Sequence, residues 1–233
     1  MQAEDFKDGQ ILVVDKPLGW TSFQVVNKIR WLIRKRFDLK KIKVGHAGTL
    51  DPLATGVLVI CTGKFTKKIE TLQSESKVYT GTITLGVSTP SYDLETEIDQ
   101  TYPIQHISER DLFETCREFT GKIKQIPPIF SALKKDGVRL YEKARKGEQV
   151  EIKARDVEIF SFDLTKIDLP VVEFRIHCSK GTYIRSIAHD FGKALKSGGH
   201  LSSLKRTKSG SFDLNEAITI EEFEKMLNQS PNS

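Results

Sequence analysis

The sequence has few cysteines and no long apolar segment. Its three cysteines, at positions 61, 116 and 178, are odd in number and far apart. They argue against a disulfide framework and against a Cys-x-x-Cys zinc site. No segment approaches the roughly 18 apolar residues of a membrane-spanning helix. The chain starts Met-Gln-Ala-Glu-Asp, which is unlike a secretory signal. These absences predict a cytoplasmic protein without a membrane anchor.

Several common catalytic motifs are missing as well. Six residues separate Gly56 from Gly63, and Phe65 follows Lys64, so there is no Walker A loop. The sequence contains no Gly-x-Gly-x-x-Gly, no Gly-x-Ser-x-Gly and no zinc-deaminase signature. Its five histidines are scattered. We therefore expect neither dinucleotide nor metal chemistry.

The stretch 45–56 reads Gly-His-Ala-Gly-Thr-Leu-Asp-Pro-Leu-Ala-Thr-Gly and precedes the apolar run 57–60. Glycine allows positive φ and close approach to a ligand, and proline fixes φ. A loop of this kind at the mouth of a strand can hold the carboxylate of Asp51 rigidly in a cleft. The alternative is that Asp51 only starts an Asp-Pro turn.

Charge is distributed unevenly along the chain, although the net charge is only +5. Residues 28–43 contain eight basic side chains and one acid, and residues 193–208 contain five basic side chains and no acid. Residues 89–118 carry eight acids against two arginines. Segregated basic tracts favour a polyanionic partner, most plausibly nucleic acid. A solvated helix face is the alternative.

Local patterns indicate three helix starts and several strands. Capping boxes are predicted at 21–24, 108–111 and 219–222. Apolar or alternating runs predict strands at 9–17, 57–61, 77–86, 157–164, 171–178 and 204–209. The alternation over 77–86 places Tyr79 on the apolar face. Strands outnumber helices and several follow one another directly, which favours an α+β fold with a mixed sheet.

The glycine-rich loop resembles the catalytic motif of bacterial TruB-type tRNA pseudouridine synthases. The resemblance continues in the same order from about Gly9 to Gly210. It is carried by Asp15-Lys16-Pro17, Lys77-Val78-Tyr79, residues 126–134 (Ile-Pro-Pro-Ile-Phe-Ser-Ala-Leu-Lys), residues 178–185 (Cys-Ser-Lys-Gly-Thr-Tyr-Ile-Arg) and Leu204-Lys205-Arg206. It implies a mixed, largely antiparallel central sheet flanked by helices.

The resemblance also implies a reaction and its catalytic residues. Uridine at position 55 in the TΨC loop of tRNA would be isomerised to pseudouridine without metal or cofactor. Asp51 would be the nucleophile, and attack on C6 of the base or on C1′ of the ribose both remain open. Arg185 would pair with the catalytic aspartate and keep it ionised and aimed. Tyr79 would stack on the target base and take the C5 proton.

Further residues are implied to bind substrate. His46 would support the space vacated by the flipped base, and Leu204 would line the uracil pocket. Lys16 would support the loop of Tyr79 or bind RNA phosphate, and Gly48 and Thr49 belong to the glycine-rich loop. The resemblance assigns residues near 130–155 to an insertion that clamps the T-arm, with Lys134 among its contacts.

The end of this chain departs from the pattern of the family. Bacterial relatives add a PUA-like RNA-binding domain, and the sequence stops about twenty residues after Gly210. We therefore expect one catalytic domain over residues 1–233, acting on tRNA as a monomer without an obligatory protein partner. A non-catalytic tRNA-binding or tRNA-folding module is the main alternative. A guide-RNA-dependent relative is the third, and it lacks support because no added domain fits.

Overall fold

The computed structural model describes residues 2–131, 134–135, 138–139 and 152–229. The chain divides into two compact units, the first formed by residues 1–79 and 204–233 and the second by residues 80–203. The first unit combines helices with antiparallel and parallel strand pairs, and the second combines helices with antiparallel pairs. The predicted α+β class with a mixed, largely antiparallel sheet is confirmed.

The described part of the chain contains six α-helices and thirteen strands. The helices are α1 (Ala3–Asp8), α2 (Ser22–Arg36), α3 (Ile69–Ser74), α4 (Glu109–Glu118), α5 (Ile184–Ala194) and α6 (Ile220–Gln229). The strands are β1 (Ile11–Lys16), β2 (Val44–His46), β3 (Ala54–Thr62), β4 (Lys77–Leu85), β5 (Val87–Ser88), β6 (Gln100–Thr101), β7 (Gly121–Gln125), β8 (Lys134–Lys135), β9 (Val138–Arg139), β10 (Arg155–Asp168), β11 (Val171–Cys178), β12 (Gly199–Ser209) and β13 (Phe212–Asp213). Short 3₁₀ helices cover Gly63–Lys68 and Leu214–Glu216.

Strand β3 is the centre of the first unit. It pairs antiparallel with β1 and with β2. On the edge opposite β1, the start of β3 runs parallel to the second half of β12, from the Leu204–Ala54 pair to the Arg206–Gly56 pair. This arrangement brings the two ends of the glycine-rich loop, which connects β2 to β3, next to the C-terminal part of β12.

Both faces of β3 are buried, which explains its continuous apolar sequence. Leu58 and Ile60 join a cluster with α2 and α6, in which Phe6 and Phe223 meet edge to face with ring centroids 6.2 Å apart. Val57 and Val59 pack on the opposite face. The strand that carries the loop is therefore held from two sides, and the loop begins from a rigid base.

The part of the sheet in the second unit has the order residues 199–203 of β12, residues 80–85 of β4, β11, β10 and β7. The long strand β10 pairs antiparallel with β11 and with β7. Phe162 of β10 contacts Phe174 of β11 and Phe191 of α5. This packing fixes the start of α5, where Arg185 is the second helical residue.

Several local predictions are confirmed and others were incomplete. The three capping boxes begin α2, α4 and α6 as predicted. Helix α1 and strand β7 were not predicted. In β7 the residues Lys122 and Lys124 give a charged pattern, because they face solvent while the main chain pairs with β10. Strand β12 starts at Gly199, five residues before the predicted start at Leu204.

The capping box of α2 gives a testable contribution to stability. The Thr21 hydroxyl accepts from the Gln24 N–H at 3.1 Å, and the Gln24 side chain accepts from the Thr21 N–H at 2.7 Å. Thr21→Ala is expected to lower the free energy of unfolding by about 1 kcal/mol in urea denaturation. Thr21→Ser keeps the hydroxyl and should lie close to the wild type. Equal losses in both variants would contradict a capping role.

Within the described ranges, no helix combines the length and apolar character needed to cross a membrane. In the same ranges, no three His, Cys, Asp or Glu side chains are grouped so that they could hold a metal ion. The three cysteines are all buried.

Candidate active site

The glycine-rich loop leaves β2 after His46 and enters β3 at Ala54. The Ala47 N–H donates to the Val59 carbonyl at 2.8 Å, and the Ala54 N–H donates to the Asp51 carbonyl at 3.1 Å. The second bond closes a turn around Pro52, so the Asp-Pro pair does form a turn. The Asp51 side chain is half-buried within it.

Ser22, the first residue of α2, fixes the residue before the aspartate. Its hydroxyl donates to the Leu50 carbonyl at 3.1 Å and accepts from the Leu50 N–H at 2.9 Å. Ser22 and Leu50 are both buried. Because both main-chain polar groups of Leu50 are satisfied by one side chain, the backbone leading into Asp51 has little freedom.

Lys16, at the end of β1, supports the residue after the aspartate. Its ammonium group is fully buried and donates to three carbonyls, those of Pro17 at 2.9 Å, Trp20 at 2.5 Å and Pro52 at 3.3 Å. The structure therefore places this predicted substrate-binding residue beneath the Asp51 loop.

Burial lowers the pKa of Lys16 to about 8. The charge of Arg206 acts in the same direction, and the charges of Asp51 and Asp15 oppose it. Lys16 and Asp51 thus interact electrostatically, and this mutual attraction favours an ionised carboxylate on the loop.

Arg206, on β12, binds the loop from the opposite side. Its guanidinium group donates to the Val57 carbonyl at 2.7 Å, the Gly48 carbonyl at 3.1 Å and the Thr49 carbonyl at 3.5 Å. Only 1% of the side chain is exposed. Gly48 has φ +107, a conformation that favours glycine, and Thr49 is exposed at the loop surface.

His46 and Leu204 flank the loop. Burial lowers the pKa of His46, and the charge of Arg206 adds to this effect, while a hydrogen bond with the Gly48 backbone opposes it. His46 is therefore neutral near pH 7. Leu204 is half-buried and lies opposite Ala54 in the parallel pair.

Tyr79 lies on β4 in the same unit and is 8% exposed, on the buried face that its alternation predicted. Six of the nine predicted site residues are thus within or directly around the loop: Lys16, His46, Gly48, Thr49, Asp51 and Leu204.

Arg185 belongs to the second unit and is held there by a polar network. Its Nη1 donates to the Phe130 carbonyl at 2.9 Å and the Ser91 carbonyl at 3.3 Å. Its Nε lies 3.6 Å from Oδ2 of Asp93, and both side chains are almost completely buried. The expected pairing of Arg185 with Asp51 would join residues of different units, whereas within its own unit Arg185 pairs with Asp93.

Asp93 is itself firmly held. Its Oδ1 accepts from the Glu95 N–H at 3.0 Å, and its carbonyl accepts from the hydroxyls of Thr89 at 2.6 Å and Ser91 at 3.1 Å. Next to it, Tyr92 adopts φ +65. The acidic stretch at residues 89–118 thus supplies a buried carboxylate.

The predicted RNA-clamping insertion near 130–155 lies largely outside the described residues. Within it, Lys134–Lys135 forms a two-residue strand that pairs with Val138–Arg139.

Comparison with known families agrees with this geometry. Residues 34–184 match "TruB family pseudouridylate synthase (N terminal domain)". Residues 185–232 match "tRNA pseudouridylate synthase B C-terminal domain". The chain belongs to the TruB family.

Relatives of this TruB-family chain match it over nearly its whole length. The tRNA pseudouridine synthase B of Flavobacterium johnsoniae is 60% identical over 228 residues, which cover 97% of this chain and 100% of the relative. The tRNA pseudouridine synthase B of Phocaeicola vulgatus is 54% identical, with 97% of this chain and 96% of the relative covered. Among solved structures, a chain of a Cbf5–Nop10–Gar1 complex superposes with a TM-score of 0.72 at 30% identity. That match covers 97% of this chain and 56% of the other.

Three residues that contact either the glycine-rich loop or Arg185 were given no role by sequence reasoning. The only sequence signal of a role for Arg206 was its place in the Leu204-Lys205-Arg206 stretch, which is part of the family resemblance. Ser22 lies inside a predicted capping region, where a serine is unremarkable. Asp93 is one of eight acids in its stretch, and nothing in the spacing separates it from the others.

Proposed function

We propose that this enzyme isomerises uridine to pseudouridine at position 55 in the TΨC loop of tRNA, with Asp51 as the nucleophile. The observation that carries the proposal is the loop geometry. Buried donors from three separate elements, Ser22, Lys16 and Arg206, hold the backbone on both sides of one half-buried carboxylate. Such preorganisation suits covalent catalysis, because a nucleophile must be ionised and aimed before it reacts.

The proposed reaction needs no redox partner. The Asp51 carboxylate attacks C6 of the uracil or C1′ of the ribose, and the N1–C1′ bond breaks. The base rotates, C5 bonds to C1′, and C5 then gives up its proton while N1, which carries no proton in uridine, takes one up. Release of the aspartate regenerates the carboxylate. Tyr79 is proposed to stack on the base and take the C5 proton, with the neutral His46 supporting the space that the base vacates.

A basic groove in the first unit supports a polyanionic substrate. It has a volume of about 510 Å³ and is lined by Lys7, Lys41, Lys43, Lys64 and Lys67, together with Ile42, Gly63 and Thr66. Lys64 pairs with Asp8 at 2.7 Å and Lys7 with Glu4 at 3.1 Å. The groove retains a surplus of positive charge, which suits contacts to RNA phosphates.

The groove predicts the salt dependence of tRNA binding. Replacing Lys43 and Lys67 together by alanine should weaken binding and reduce the slope of log K against log salt by about 2, roughly one per lost phosphate contact. The matched control is Lys225→Ala, because Lys225 is an exposed lysine on the acidic helix α6. Filter binding at several salt concentrations measures both. An unchanged slope in the double variant would exclude the groove from the RNA interface.

The proposed function is tested by tritium release from tRNA transcripts that carry C5-tritiated uridine. The purified chain alone should release one tritium per tRNA, and a transcript with cytidine at position 55 should release none. Tight binding without release from any T-arm substrate would favour the non-catalytic tRNA-binding module.

We further propose that the enzyme works in the cytoplasm as a monomer without an obligatory protein partner. Its three cysteines, which are buried, odd in number and far apart in the sequence, suit a reducing compartment. Full activity of the purified chain at a concentration where it elutes as a monomer would agree with this proposal, and activity that requires a second protein would contradict it.

A further inference from the structure

Arg206 is the largest fully buried side chain in the described part of the molecule. Burying a guanidinium group costs free energy unless its N–H groups are paired. The three hydrogen bonds described above all go to neutral backbone carbonyls, those of Gly48, Thr49 and Val57. The buried guanidinium group of Arg206 therefore binds the main chain of the loop and of β3.

The three carbonyls lie on both sides of Asp51. Gly48 and Thr49 precede the aspartate, and Val57 follows it in β3. The main chain of Arg206 also approaches the loop, because Arg206 pairs with Gly56 in the parallel ladder. Gly56 has φ +98, and a Cβ atom there would lie 2.2 Å from the Arg206 carbonyl oxygen. One residue thus fixes the entry of the loop with its side chain and the exit with its backbone.

The planar fork of arginine suits this task. Its donors diverge in fixed directions, so one group can reach separate carbonyls at the same time. The ammonium group of a lysine is a point donor on a flexible chain and cannot span the same carbonyls. Arg206 is also close enough to influence the charge state of His46 and Lys16.

We propose that Arg206 is a positioning residue for the isomerisation, which sets the backbone of residues 48–57 and so aims the Asp51 carboxylate at the substrate. This inference rests on the proposed function, in which Asp51 is the nucleophile. Arg206 acts through the loop and does not itself touch the reacting atoms.

The proposal predicts that substitution of Arg206 lowers the reaction rate but leaves tRNA affinity nearly unchanged. In Arg206→Lys the charge remains but the fork is lost, and a displacement of the carboxylate by about 1 Å is expected to lower the rate about 100-fold. The tRNA dissociation constant should stay within roughly threefold, because the basic groove is unchanged. Arg206→Met should lose at least as much rate as Arg206→Lys.

The experiment measures single-turnover tritium release at saturating enzyme, tRNA affinity, and amide hydrogen exchange of residues 48–57. Lys225→Met controls for the loss of a positive charge elsewhere in the first unit, because Lys225 is exposed on α6. Phe223→Leu controls for destabilisation, because Phe223 is fully buried in the first unit and contacts α1. Both controls should keep the wild-type rate well below their melting temperatures. Arg206→Lys should lose rate and show faster exchange in the loop.

Two outcomes overturn the inference: a wild-type rate in Arg206→Lys, or a loss of activity that reduced tRNA affinity fully explains. If the wild-type chain itself releases no tritium, the proposed function fails. Amide hydrogen exchange then tests the positioning role separately. Unchanged protection of the loop amides in Arg206→Lys would overturn that role.

Discussion

Asp51→Asn should abolish tritium release from tRNA, with a loss on the order of 10⁴-fold or more. The substitution keeps the shape of the side chain and leaves the main-chain bonds from Ser22, Lys16 and Arg206 unchanged. It removes only the negative charge and the nucleophilic oxygen. The tRNA affinity is therefore expected to remain near that of the wild type.

The control for this prediction is Asp168→Asn, because Asp168 is an exposed aspartate at the end of β10. Its rate should equal that of the wild type in single-turnover release assays. Release that survives Asp51→Asn would leave the activity in place and assign the nucleophile to another residue. Loss of tRNA binding in Asp51→Asn would mean that the carboxylate supports the fold of the site.

Breaking the Arg185–Asp93 pair should be the most destabilising change at the site. The two side chains are 3% and 6% exposed, with 3.6 Å between Nε and Oδ2. Removing one partner takes the opposite charge away from a buried ion, so Arg185→Met and Asp93→Asn are each expected to cost about 3–5 kcal/mol in urea denaturation. The double variant should cost at least about 1 kcal/mol less than the sum.

An exposed ion pair in the same unit provides the matched control. Lys166 lies 4.0 Å from Glu173, with side chains 62% and 49% exposed. The corresponding cycle, Lys166→Met with Glu173→Gln, should show a coupling of only about 0–1 kcal/mol. Additive losses at Arg185 and Asp93 would contradict a coupled buried pair. The single-turnover rate of Arg185→Lys, measured in folded protein, then tests whether Arg185 also acts in catalysis.

The fold could be predicted where the signals are local. A capping box involves residues three apart, so Thr21 with Gln24 and Ser108 with Asp111 were recognisable without any tertiary information. The alternation over 77–86 placed Tyr79 correctly on a buried face because side chains alternate along every strand. Strand β7 was not predicted, because the lysines on its exposed side give it a charged pattern. Its own residues also carry no signal of its pairing with β10.

The candidate site shows the same division between local signals and tertiary contacts. The sequence by itself determined which residue types stand in the loop, that Asp51 can start an Asp-Pro turn, and that the chain resembles TruB-type synthases over most of its length. Only the tertiary structure decided which distant residues hold that loop and where the charges are buried. Arg206 reaches Gly48 across 158 positions, and Arg185 reaches Ser91 across 94. Such contacts depend on strand order and register, which bring together residues whose local sequence carries no signal of burial.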